Sequence, residues 1–128
     1  MKKVYICSPL GGDVNRNLIR AKEYTAYALR CGVAPVTPHF YALCIDDRNI
    51  ADRQLGLSAG LSLLMMCDEV WVFGDRISDG MRDEIRAVEN INLRIRKITD
   101  DEIYETGGYE NDENQNGSDD VWQTHCEM

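Results

Sequence analysis

The chain has 128 residues, a formal charge of −8 and 44% apolar residues, enough for one domain with a single modest core and no covalent staples. The charge is lopsided: residues 1–98 carry 14 Lys and Arg against 12 Asp and Glu, whereas residues 99–128 carry 10 acidic residues and no basic one. A body without a basic stripe has no means of releasing phosphate counterions, which argues against a nucleic-acid polymer as partner.

Cys7, Cys31, Cys44, Cys67 and Cys126 are odd in number and show no CxxC spacing, so they read as reduced thiols rather than as a disulfide framework or zinc knuckle. The apolar run after Lys2 and Lys3 is far shorter than a signal-peptide core, and no window reaches the ~18 apolar residues that a membrane span requires. The expectation is a soluble, cytoplasmic protein that makes no membrane contact.

In chain order, Val4 to Cys7 reads as a buried strand that enters a loop at Ser8, Pro9, Leu10, Gly11 and Gly12. Asp13 is placed to cap a helix whose apolar face runs through Leu18, Ala21, Ala28 and Leu29 and which ends at Gly32. Val33 to Val36 is a second short strand, and Pro35 and Pro38 put it at the sheet edge, because proline cannot donate to a central ladder. A loop through Tyr41 and Asp47 leads to a second helix over 51–66, apolar on much of its surface. Glu69 to Phe73 (EVWVF) is the clearest strand, ended by Gly74 and Asp75. Ser78, Asp79 and Gly80 open a third helix that runs to about Asn92, and Leu93 to Ile98 forms a partly exposed last strand.

Alternating strands and helices predict right-handed parallel βαβ units. The fold class is therefore α/β, a single Rossmann-like or flavodoxin-like three-layer domain over 1–103 with a parallel sheet of four to five strands, order 2-1-3-4. Residues 104–128 are rich in Glu, Asp, Asn, Gly and Ser and read as an acidic disordered tail, in which Trp122 is the one large apolar anchor for a partner.

With that arrangement the strand order reverses between the first and third strands, and ligands of open α/β sheets bind at such a point, beyond the carboxyl ends of the strands. After strand one, Ser8, Pro9, Leu10 and Gly11 precede a helix N-terminus that suits an anion, or form only a tight turn; no Walker or GxGxxG motif is present. After strand two, His39 either hydrogen-bonds a ligand oxygen or fixes loop backbone. After strand three, Gly74 to Glu84 (GDRISDGMRDE) is the most informative stretch. Asp79 is placed as the cap, Gly80 opens the first turn to close approach, and Ser78 and Met81 stand beside them. Glu84, four residues beyond Gly80, stands over that gap with its carboxylate toward the crevice. A carboxylate so placed acts as nucleophile, as acid or base, or as acceptor for sugar hydroxyls. Asp68 reads as a local hydrogen-bonding residue, Arg53 and Arg82 as surface or phosphate ligands, and Met65, Met66 and Met81 as core or pocket lining. No metal site or cofactor is expected, since the only other histidine, His125, lies in the tail.

The opening VYICSPL, the central CDEVWVFG and above all ISDGMRDEI resemble the nucleoside 2-deoxyribosyltransferase-like superfamily, most closely its small bacterial and phage members. The resemblance spans residues 3–98. It implies an enzyme that cleaves or transfers an N-glycosidic bond, with Glu84 as the nucleophile that forms a covalent glycosyl enzyme and Asp79 near the sugar hydroxyls. It further implies a small nucleoside-like or nucleotide-like ligand and a homo-oligomer. One position departs from the pattern: where the transferases carry an aspartate that protonates the leaving base, this chain has Gly60 between Ala59 and Leu61. That departure motivates an alternative, a non-catalytic binder, sensor or sponge, of a nucleotide-derived ligand. A third reading makes the acidic tail and Trp122 a recruiting scaffold.

Overall fold

The structure is a computed structural model that describes residues 1–46 and 48–105. Its elements are β1 (Lys3–Cys7), α1 (Val14–Arg30), β2 (Ala34–Val36), a 3₁₀ helix (Pro38–Leu43), α2 (Ile50–Leu64), β3 (Glu69–Phe73), α3 (Asp79–Asn90), β4 (Arg94–Ile98) and α4 (Asp100–Glu105). The four strands form one parallel sheet in the order β2-β1-β3-β4, with β2 and its Pro35 on the edge.

Side-chain alternation along the strands builds two separate cores. Val4 and Ile6 of β1 and Trp71 and Phe73 of β3 join Tyr24, Tyr27 and Ala28 of α1, with Ile98 and Ile103 closing the layer. Tyr24 stacks on Phe73 at 4.6 Å between ring centroids. On the other face, Tyr5 and Cys7 of β1 and Val70 and Val72 of β3 join Leu64 and Cys67 with Met81 and Val88 of α3. Helices on both faces give three layers, as right-handed crossovers from a 2-1-3-4 sheet require.

Local chemistry fixes the ends of the elements. Asp13 caps α1 by accepting from the Arg16 N–H at 3.2 Å, and Asn49 does the same for α2 toward Asp52. Asp68 accepts from the Lys3 N–H at 2.8 Å and so aligns the starts of β1 and β3. Glu69 is buried at the start of β3 between Lys2, at 2.5 Å, and the Trp71 indole N–H, at 3.0 Å. Arg96 of β4 lies over its register partner Trp71, 4.9 Å from the ring centroid, which explains how so basic a strand joins the sheet.

Several details differ from the sequence expectations. The loop after β2 is a 3₁₀ helix for six of its residues, and α4 continues order past residue 103: Tyr104 donates to Glu23 at 2.8 Å and accepts from Arg20. Residues 106–128, including Trp122, lie outside the described residues. Met65 and Met66 are exposed rather than core, because α2 closes at Leu64 and the chain turns outward there. Cys7, Cys44 and Cys67 are free thiols, and Cys126 lies outside the described residues. No helix among the described residues is long and apolar enough to cross a membrane.

Candidate active site

A cavity of about 470 Å³ opens at the carboxyl ends of β1 and β3, where the sheet order reverses. Its floor is Tyr5 and the β1 loop, one wall is α3, and the other is α2 with the 3₁₀ helix. Of the residues singled out in the sequence, Ser8, Leu10, Gly11, His39, Ser78, Asp79, Gly80, Met81 and Glu84 line it. Pro9 and Gly74 are not among its lining residues. Gly74 serves the turn after β3 at φ +94°, and a Cβ there would stand 3.8 Å from the Tyr24 hydroxyl, toward the α1 layer.

The α3 end of the site is built by its cap. Ser78, rather than Asp79, is the N-cap: its hydroxyl accepts from the Met81 N–H at 3.3 Å, and the Met81 thioether accepts from the Ser78 N–H at 3.4 Å. The sulfur thus takes the place a glutamate usually holds in a capping box. Asp79 becomes the first helical residue, exposed in a turn where a negative charge is favourable. A Cβ at Gly80 would meet nothing within 4 Å, so the glycine leaves the first turn of α3 open to a ligand instead of relieving a clash.

One turn further on, Glu84 points back onto β1. Tyr5 donates its hydroxyl proton to Oε2, and the Cys7 thiol lies 3.7 Å from Oε1. Burial is the main influence on this carboxyl and pushes it up to about 7; the Tyr5 and Cys7 hydrogen bonds pull against that, and the nearby Asp83 charge adds to it. Burial and the same carboxylate hold the Tyr5 hydroxyl and the Cys7 thiol far above their ordinary values, so both remain proton donors to Glu84. A carboxyl poised near neutrality, held by two donors and open to a cavity, suits nucleophilic or acid–base work.

His39 is buried, and its Nε2 is 2.7 Å from the Ser8 carbonyl and 3.0 Å from the Ser8 hydroxyl. A carbonyl only accepts, so Nε2 carries the proton and Nδ1 is bare; Nδ1 has no partner among the described residues. Burial keeps the ring neutral by pulling it below the usual histidine value, opposed only by that carbonyl. The histidine fixes the β1 loop, and the Ser8 hydroxyl proton remains free for another acceptor.

Sequence reasoning passed over Tyr5 and Cys7 because both read as strand core. Strand alternation was the available signal, since it sets them on the face opposite Val4 and Ile6. Arg53 is an exposed lining residue, whereas Arg82 is exposed outside the cavity. Gly60 is buried, and a Cβ there would lie 3.3 Å from the Tyr5 hydroxyl and 3.4 Å from Pro38 Cβ. Among the described residues, no group of three or more His, Cys, Asp and Glu is arranged to hold a metal ion.

Residues 2–98 match the family model described as Domain of unknown function (DUF7768). The chain belongs to that family. No curated protein matches the chain in sequence. Among solved structures, a 2-deoxyribosyltransferase from Bacillus psychrosaccharolyticus aligns with a TM-score of 0.62 at 17% identity, over 76% of this chain and 72% of that one. The likeness shows the fold alone, an α/β sheet with flanking helices, which in this DUF7768 member is four-stranded and parallel.

Proposed function

We propose that this cavity holds a nucleoside-like or nucleotide-like ligand and cleaves or transfers its N-glycosidic bond, with Glu84 as the nucleophile. The observation that carries the reading is the half-buried Glu84 carboxyl, raised to about 7 and fixed by Tyr5 and Cys7 at the switch point of the sheet. Attack on the anomeric carbon would form a glycosyl ester and release the base; a second acceptor would then take the sugar, splitting one difficult displacement into two. The exposed Asp79 and the open first turn at Gly80 are suited to sugar hydroxyls. The transferase fold of the structural neighbour supports the same ligand class.

A second reading, a non-catalytic binder of a nucleotide-derived ligand, draws on Gly60: the α2 position beside the Tyr5–Glu84 pair bears no side chain. The exposed Leu57 and Leu61 at the cavity rim support a homo-oligomer, which light scattering on the purified protein would detect. The two readings separate when wild type and Glu84→Ala are incubated with nucleosides, deoxynucleosides and NAD and the released base is followed by chromatography. Base release lost in Glu84→Ala supports the enzyme. Thermal stabilisation by a nucleotide with no product supports the binder.

A further inference from the structure

Loss of a neutral base from a sugar requires a proton at the departing ring nitrogen, so the cavity's proton donors define which substrates it can serve. Among the described residues, every donor lining it except the phenol of Tyr41, exposed on the 3₁₀ helix, has another assignment. Tyr5 gives its proton to Glu84. Glu84 must be a carboxylate to attack and cannot carry the base's proton in the same step. His39 keeps its only N–H on the Ser8 carbonyl. Arg53 donates hydrogen bonds without parting with its proton, and the serine hydroxyls are too weakly acidic. Asp79 and Asp83 stand on the exposed first turns of α3, the helix that already supplies the nucleophile.

Among the described residues, the other wall has no acid. Along α2 the lining residues are Arg53, Gly56, Leu57, Gly60 and Leu61, and a side chain at Gly60 would press on the Tyr5 hydroxyl and Pro38. At the same time the cavity gathers, among the described residues, three carboxyl side chains, Asp79, Asp83 and Glu84, against the single cation Arg53, and Tyr41 adds an aromatic ring to the lining. Acidic groups and an aromatic ring favour a flat cation and disfavour an anion.

Building on the glycosidic reading above, we infer that the site takes N-glycosides whose base already bears a positive charge, such as a pyridinium riboside or an N7-alkylated purine nucleoside. Glu84 forms a C1′–O bond as the C1′–N bond breaks, and the electron pair of that bond cancels the ring's positive charge, so the base departs neutral with no proton supplied. Water then attacks C1′, the ester bond returns its electrons to Glu84, and the proton of the water passes to solvent.

The test uses the full chain with nicotinamide riboside and N7-methylguanosine as cationic probes and deoxyinosine and deoxyadenosine as neutral ones, with base release measured from about pH 5 to 9. The cationic probes should lose base at least about 10²-fold faster than the neutral ones, the rate an absent acid would withhold. The nicotinamide riboside rate should climb through pH 7 to a plateau with no falling limb, and both cationic rates should vanish in Glu84→Gln, whose fold is checked by its melting transition. Glu84-dependent cleavage of the neutral probes at a rate within tenfold overturns the inference and leaves the glycosidic reading standing. No base release from any probe overturns both.

Discussion

Along β1, Val4 and Ile6 enter the aromatic layer beneath α1, whereas Tyr5 and Cys7 enter the layer that floors the cavity. The α1 layer is closed: Tyr24 stacks on Phe73 and Tyr27 meets it edge-on, 6.3 Å between centroids. The other layer sets a buried hydroxyl and thiol against a half-buried carboxyl and leaves a cavity of about 470 Å³ beside them. The sheet therefore carries stability on one face and chemistry on the other, and along β1 the difference lies in whether the inward residue brings only carbon or a titratable group. A site that desolvates a carboxyl sacrifices stability for reactivity, and the closed layer offsets that loss.

The largest effect should come from the closed face. Phe73→Ala removes the partner of both Tyr24 and Tyr27 and is expected to lower stability by about 3–5 kcal/mol, read as a shift in denaturant midpoint. A shift below about 1 kcal/mol would show that this layer does not dominate stability.

Next in size is the pH dependence of the open face. The Glu84 carboxyl is raised from 4.5 to about 7 on folding, so its contribution is fully present below about pH 4.5 and is lost as pH rises through 7. The folded state at pH 8 should be weaker by roughly 2–4 kcal/mol on this account, and Glu84→Gln should flatten the stability curve across that window. An unchanged curve in the mutant would break the comparison.

Tyr5→Phe probes the link between the faces more finely. The phenol hydrogen bond pulls the Glu84 carboxyl down, so its loss should move the midpoint of any Glu84-dependent activity upward by about one pH unit and cost roughly 1–2 kcal/mol of stability. Ser78→Ala, which removes the cap of α3, should cost about 1 kcal/mol. It should also lower substrate affinity more than turnover, since the first turn of α3 frays while Glu84, one turn further on, keeps its partners.

The strand–helix alternation and the edge placement of β2 were legible because period-2 and period-3.6 patterns and proline chemistry are local. Glu84 was legible for the same reason: its spacing from Gly80 sets both on one helix face. The Tyr5 and Cys7 contacts with Glu84 join residues 79 and 77 positions apart, and only the sheet register brings them together. The 3₁₀ helix and α4 are each six residues long, too short to display a period. No helix is read from the acidic run that begins α4, although the same charges favour a helix first turn. Ser78 was overlooked as the cap because its reciprocal partner is a methionine sulfur, which no capping-box pattern contains.

The most direct test of the central claim is mass spectrometry of the intact protein quenched during turnover of a cationic nucleoside, followed by peptide mapping. The account predicts a covalent sugar on the peptide containing Glu84, absent from Glu84→Gln together with base release. Base release that persists undiminished in Glu84→Gln, with no adduct on that peptide, would contradict it.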